Sequence, residues 1–423
     1  MNSRILRHAR GLASAGLRAN GLLFCPAPLN NMQMAELRSR AAPLLLWLAG
    51  NGLRLTILAV PPVIAMIRDD LRLSATEVGL LSSIPPAMFA LAALGGSLLV
   101  ARMGVTVALV GGLLLVASGS ALRGIAPNYP VLLAMTVIMS AGVAIMQPIM
   151  PTAVRQWMPT RIGFGTALYT NGLLVGEILA VLLTGPVVLP LVHGDWRLSL
   201  VAWSVPIAIV AVVVRAFAPP SPPRAATAAH IPQKWLPDWH VALVWRLGAL
   251  FCCVNAIYFS ANAFLPIYLA SKGRSDLIGQ ALLALNLGQL PASLLLVVVA
   301  GRLERRAWPY LMSGAISLAS LAGIVVSDGA ATIGWSALLG FSDASALILG
   351  LSLPPLLCRP TDVARTSAGM FTLSYGGAVL IAIISGALWD VSGLPALSFA
   401  PLAVCAIALA VVALRMRRRH ELV

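Results

Sequence analysis

Apolar residues run almost unbroken for roughly 15 to 25 positions at a time along this chain, separated by short clusters of Arg, Asp, Gly and Pro. A helix crossing the hydrocarbon core of a bilayer takes ~20 such residues, whereas a membrane barrel alternates apolar and polar positions over ~10-residue stretches. The runs predict membrane-spanning helices, twelve of them: 43–66, 77–100, 104–123, 130–154, 163–190, 198–217, 241–269, 277–300, 308–327, 331–357, 366–388 and 395–414. The Pro-rich stretch APPSPPRAATAAHIPQKWLPDWH divides them six and six. The predicted organisation is a basic tail at 1–41, a first six-helix half at 42–217, a linker at 218–240, a second half at 241–415 and a short basic tail at 416–423.

The halves echo each other. Gly79 and Arg102, flanking the second span, recur as Gly279 and Arg302 around the eighth. MPTAVRQWMPTRIGFGTALYT, between the fourth and fifth spans, is answered by LPPLLCRPTDVARTSAGMFTLSY between the tenth and eleventh. Two such halves around a midplane site are the architecture of transporters that work by alternating access.

Composition agrees with the pattern. The 423 residues are 59% hydrophobic and 10% charged, with mean hydropathy +0.91, against about 25% charged residues in a soluble domain. A soluble enzyme is excluded. The net charge of +15 does not point to nucleic acid, because the Arg residues fall between apolar runs and form no basic face. Basic residues collect on the cytoplasmic side. With both termini placed there, 21 of the 29 Lys and Arg residues are cytoplasmic and six external: Arg68, Arg72, Arg123, Arg197, Lys272 and Arg274. Arg54 and Arg246 lie within spans, Arg246 close enough to an end to snorkel. The tail at 1–41 reads as disordered, without the h-region of a secretory signal. The five cysteines lack C-x-x-C spacing and read as buried thiols, with neither a disulfide framework nor a metal site.

The layout resembles the major facilitator superfamily, in particular its cyanate and nitroimidazole transporter-like branch. GLRLTILAVPPVIAMIRDDLRLSATEVGLLSSIP, IMPTAVRQWMPTRIGFGTALYT, HGDWRLSLVAW, FLPIYLASKG and SAGMFTLSYGGAVLIAIISGALWDVSG carry the likeness. The superfamily's G-x-x-x-D-R-x-G-R-R loop is reduced to SLLVARMGVT, in which only Arg102 and Gly104 match. The resemblance implies a conformational loop at Arg102 and Gly104, with Arg302 as the second-half counterpart. It also implies a multi-pass protein of the bacterial inner membrane, and a small-molecule solute such as cyanate, another small anion or a nitroaromatic compound.

Motifs for catalysis or ATP use are missing. There is no G-K-[ST] and no G-x-S-x-G, and the five histidines sit in tails or loops without ligand spacing. The expectation is a monomeric secondary transporter, not an enzyme, with no cofactor and no metal. It would draw on a proton gradient or another gradient. The alternatives are a proton-coupled efflux pump for drug-like or nitroaromatic compounds and, from another class, a non-transporting receptor.

Arg54 is the sharpest candidate. An Arg at the centre of a span costs at least about 2.5–3.5 kcal/mol, and its planar fork suits a delocalised anion. On a regular helix Asn51 shares its face, which predicts both at the solute site; an interhelical salt bridge is the bland alternative. Glu177 and Asp343 are the acids placed deep in the membrane and the candidate proton carriers, because one guanidinium cannot fully pair two carboxylates. Thr170, Glu177 and Thr184, spaced by sevens, predict a polar stripe down the fifth helix. Gln147, Tyr169, Asn255, Tyr258, Asn262, Gln289 and Tyr375 complete the candidate solute-binding set; Asn286 and Ser293 share a face with Gln289. Gly172 and Gly176 form a small-xxx-small pair that permits close helix approach.

Overall fold

The computed structural model describes residues 31–73, 75–220 and 234–418. Most of the N-terminal tail, the middle of the linker and the last five residues lie outside them, and with them the expectation of a disordered tail. Among the described residues twelve helical segments are long and apolar enough to cross a membrane: Glu36–Leu71, Ser83–Met103, Val105–Gly124, Tyr129–Trp157, Ile162–Leu191, Trp196–Phe217, Ala242–Ser271, Ser275–Leu303, Trp308–Val326, Ala330–Leu357, Val363–Ser392 and Pro395–Arg418. They match the predicted twelve one for one. Most run a few residues further, because a helix continues past its apolar stretch wherever local caps satisfy its ends. Asn128 caps the fourth span by accepting from the Val131 N–H at 3.1 Å, and Asp195 caps the sixth through the Arg197 N–H at 2.7 Å. Large apolar side chains such as Leu91, Val298, Val326 and Val391 are exposed on the outside of the bundle, where lipid replaces water and apolar exposure carries no penalty.

The first span is not one helix. A regular segment ends at Asn51, and the chain tightens through three-residue hydrogen bonds from Gly52 to Ala49, Leu53 to Gly50 and Arg54 to Asn51. A single turn, Leu55–Leu58, follows, then a 3₁₀ turn at Pro61–Val63 and a last helix at Ile64–Leu71. Pro61 and Pro62 have no N–H to return to the preceding turn, so the α-helix cannot run through. Broken helices at membrane depth are tolerated where they line a cavity, and Arg54 stands at this break. The fifth span has its own irregularity, a π turn over Thr184–Val188 around Pro186.

The first and fifth spans touch backbone to backbone. A Cβ on Gly172 would lie 2.2 Å from the Trp47 carbonyl oxygen, and one on Gly50 2.1 Å from that of Tyr169. Gly176 presses in the same way on Asn51. The small-residue pair therefore works as expected, by allowing approach that any larger residue would block. The second span packs against the eleventh and the fifth against the eighth. At the end of the bundle that holds Arg418, the Glu304 carboxylate lies against Gly163 in the first turn of the fifth span.

Candidate functional site

A cavity of about 500 Å³ occupies the bundle centre, on the side away from Arg418. Residues from the first, second, third, fourth, fifth, seventh and eighth spans line it. Its walls are largely apolar, from Ile57, Leu58, Leu81, Phe89, Met139 and Phe259. Its charged groups are Arg54, Arg123 and Glu177.

Arg54 lies at the cavity base. Its guanidinium carbon sits 5.8 Å from the ring centres of both Phe89 and Phe259, a placement in which ring quadrupoles favour the cation. Among the described residues no carboxylate comes within 4.0 Å of it, and its side chain makes no hydrogen bond. A planar cation with five N–H donors thus faces open space between two aromatic faces. The interhelical salt bridge offered as its bland explanation is not formed.

Tyr375 closes the floor. Its ring packs 5.1 Å from Phe89, 6.0 Å from Phe259 and, stacked, 6.0 Å from Phe371. Its hydroxyl accepts from Gln147 Nε2 at 3.1 Å. Beyond it lies a second pocket of about 30 Å³, lined among others by Gln147, Asn255, Tyr258, Gln289 and Asp343. Arg54 and Glu177 border both spaces. Asp343 is buried, and its Oδ1 has no hydrogen-bond partner.

The second half contributes a chain of neutral hydrogen bonds. Asn286 Nδ2 donates to Asn262 Oδ1 at 3.0 Å, and Asn286 Oδ1 accepts from the Tyr258 hydroxyl at 2.8 Å. The same hydroxyl lies 3.4 Å from Glu177 Oε1, which ties the chain to the fifth span. Asn255 Nδ2 donates to Ser374 Oγ at 2.7 Å. Each amide is held by its neighbours, so the wall has a fixed pattern of donors and acceptors.

The structure gathers Arg54, Gln147, Asn255, Tyr258, Asn262, Gln289, Tyr375, Glu177 and Asp343 around these two spaces. Asn51 and Tyr169 line neither. Asn51 donates to the Trp47 carbonyl oxygen at 2.9 Å and is pressed against the glycines of the fifth span, so it packs helices instead of facing solute. Tyr169 is buried, with its backbone against Gly50. The expected Thr170–Glu177–Thr184 stripe also fails. The Thr170 hydroxyl bonds the Thr166 carbonyl, and Thr184 is taken up by the Ala180 carbonyl and the Trp203 indole. Arg102 and Arg302 are exposed at the end that holds Arg418, and Gly104 opens the third span at φ +80°, a conformation suited to glycine.

Sequence reasoning missed Arg123. Counted among the external basic residues, it is instead buried to 1% exposure in the third span and lines the cavity. The apolar residues that follow it, Ile125 and Ala126, were the available signal that the apolar run had not ended there. Among the described residues no cluster of His, Cys, Asp and Glu gathers as metal ligands.

Comparison with known proteins agrees with this architecture. The sequence profile of the Major Facilitator Superfamily matches residues 46–285. The cyanate transport protein CynX of Escherichia coli is 26% identical over 88% of this chain and 96% of its own length. The 2-nitroimidazole transporter of the same organism is 24% identical, over 75% and 80%. Among solved structures, the transporter FucP in the outward conformation superposes with TM-score 0.72 at 15% identity, covering 90% of this chain and 99% of its own. The proton:xylose symporter XylE gives TM-score 0.72 at 12% identity, covering 91% and 96%.

Proposed function

We propose that this chain, which belongs to the Major Facilitator Superfamily, carries a small anionic solute of the cyanate type, with Arg54 as the anion's anchor. It is a multi-pass transporter-family protein of the bacterial inner membrane. Alternating access would rock the two six-helix halves about the Arg54 level. The cavity on the side away from Arg418 is the open approach, and the Tyr375 floor is the closed gate. With the termini cytoplasmic, as the distribution of Arg and Lys implies, that approach is external.

The unpaired guanidinium of Arg54 carries this reading. A cation at membrane depth without a carboxylate in contact is costly, and a solute anion that binds it directly offsets that cost. Glu177 borders the same space. An arriving anion would compete with Glu177 for the field of Arg54 and favour proton uptake on the carboxylate, linking anion and proton in symport. Asp343, behind the floor, is the second candidate carrier.

The cavity volume favours a second reading. About 500 Å³ with aromatic walls exceeds what a three-atom anion fills and suits a flat nitroaromatic ring, whose nitro group would meet Arg54. Counterflow in vesicles separates the two, with labelled cyanate and labelled 2-nitroimidazole offered to the same preparation. Saturable exchange of cyanate, lost in Arg54→Lys, is the expected result. Exchange of the nitroimidazole alone would reassign the solute, and exchange of neither would end both readings.

A further inference from the structure

Arg123 is the most deeply buried cation among the described residues, and it forms no ion pair with any of them. Its Nη2 donates to the Thr56 carbonyl oxygen at 2.8 Å and to Ser120 Oγ at 3.2 Å. Its Nε is buried without an acceptor, and no hydrogen bond or ion pair from Nη1 is formed with a described residue. Three of its five N–H donors therefore have no partner among the described residues.

The bonds it does make have a clear local purpose. Thr56 lies in the single helical turn that follows Arg54, and its carbonyl lacks its helical partner because the Val60 N–H turns to Ile57 instead. A side-chain donor from the third span replaces that bond and braces the turn that carries Arg54. A neutral donor would do this equally well. Gln or Asn would satisfy one carbonyl and one hydroxyl without bringing an uncompensated charge into the bundle, where a lone buried cation is expensive. The brace accounts for the hydrogen bonds and leaves the charge unexplained.

The cavity explains it. Arg123 and Arg54 line the same 500 Å³ space, and Arg123 is bonded to a residue only two positions beyond Arg54. Two guanidiniums there oppose a single carboxylate, Glu177, so the space carries an excess of positive charge within apolar walls, where charge is weakly screened. We infer that Arg123 is a second anion-binding residue, an outer station at which the solute anion is held in the cavity before, and together with, its contact with Arg54. This deepens the anion-transport reading and rests on it. The two cations divide the work. Arg123, braced to the backbone, attracts and retains the anion, while Arg54, held only between aromatic faces among the described residues, takes it to the gate.

Thermal unfolding of the purified full chain, titrated with sodium cyanate or sodium nitrate against gluconate at constant ionic strength, tests this, because a ligand specific to the folded state raises its melting temperature. Cyanate or nitrate should stabilise the wild type. Arg123→Gln, which keeps an N–H donor for Thr56 and removes the charge, should weaken the apparent anion affinity tenfold or more, while Arg123→Lys stays within about threefold. Arg54→Gln, in which Arg123 is intact, should keep a weak but measurable response, and this arm decides the matter even if Arg123→Gln does not fold. Wild-type affinity in Arg123→Gln, equal weakening in Arg123→Lys, or no response in Arg54→Gln would each return Arg123 to the role of a brace while leaving the anion reading standing. A wild type indifferent to both anions would overturn that reading and this inference together.

Discussion

The two halves of the cavity wall are built from different chemistry. The first six spans supply both cations, Arg54 and Arg123, the acid Glu177 and the aromatic face of Phe89. The seventh and eighth spans answer with Tyr258, Asn262 and Asn286, neutral groups that bond one another. The charged side leaves most of its guanidinium donors without partners among the described residues, and the neutral side satisfies its own. A group left unsatisfied at membrane depth is paid for elsewhere in the fold and is available to a ligand, whereas a satisfied network fixes shape. On the proposed anion-transport reading, binding energy and coupling belong to the first half and the outline of the site to the second.

The largest expected effect lies on the charged side. Arg54→Lys should fold and lose roughly a hundredfold in solute affinity, because an ammonium cannot copy bidentate contact with a planar anion and charge-assisted bonds are worth about 1.5–3 kcal/mol each. Equilibrium binding of labelled solute to purified protein measures it. Unchanged affinity would erase the distinction between the halves.

Coupling comes next. Glu177→Gln should keep solute exchange across vesicle membranes and abolish accumulation driven by a pH gradient, since the amide fills the same space and carries no proton. Accumulation equal to wild type would remove Glu177 from the coupling step. If Asp343→Asn behaved like wild type as well, proton coupling through these acids would be finished.

On the neutral side, Asn286→Ala should cost about 1–3 kcal/mol of stability, because it leaves Tyr258 and Asn262 short of a partner, yet shift solute affinity less than threefold. A melting curve read beside the binding isotherm separates these. An affinity loss as large as that of Arg54→Lys would make the amide chain a direct contact. The smallest effect is expected for Thr170→Val, whose hydroxyl bonds only within its own helix. Transport and pH-driven accumulation should match wild type, and loss of coupling there would revive the polar stripe along the fifth span.

Several features that matter most for this contrast were legible in the sequence. Glu177 and Asp343 stood out for the same reason as Arg54, as charges where apolar runs allow few. Tyr258 and Gln289 were found by their spacing along a helix face, and both border the smaller pocket. Asn51 departs from the face that the spacing rule gives it, because the regular helix ends at Asn51 and the chain tightens through Gly52, Leu53 and Arg54. Thr170 and Thr184 shared a period with Glu177, but period fixes only a face. A hydroxyl on that face can still turn back to its own backbone, as Thr170 does.

What the sequence determined by itself is the set of twelve spans, the depth of Arg54 within the first of them and the doubled plan of the chain. These follow from properties each segment carries alone: apolar length against bilayer thickness, and the cost of charge within it. The tertiary structure alone decided which groups share the cavity. Arg123 enters its wall because the third span brings it to the carbonyl of Thr56. Asn51 leaves it because Gly172 and Gly176 let the fifth span close against the first. Tyr375 becomes the floor because Phe89 meets it from the other half and Phe259 from its own. Each of these depends on how near two helices can come, and that is set by pairs of residues far apart in the chain.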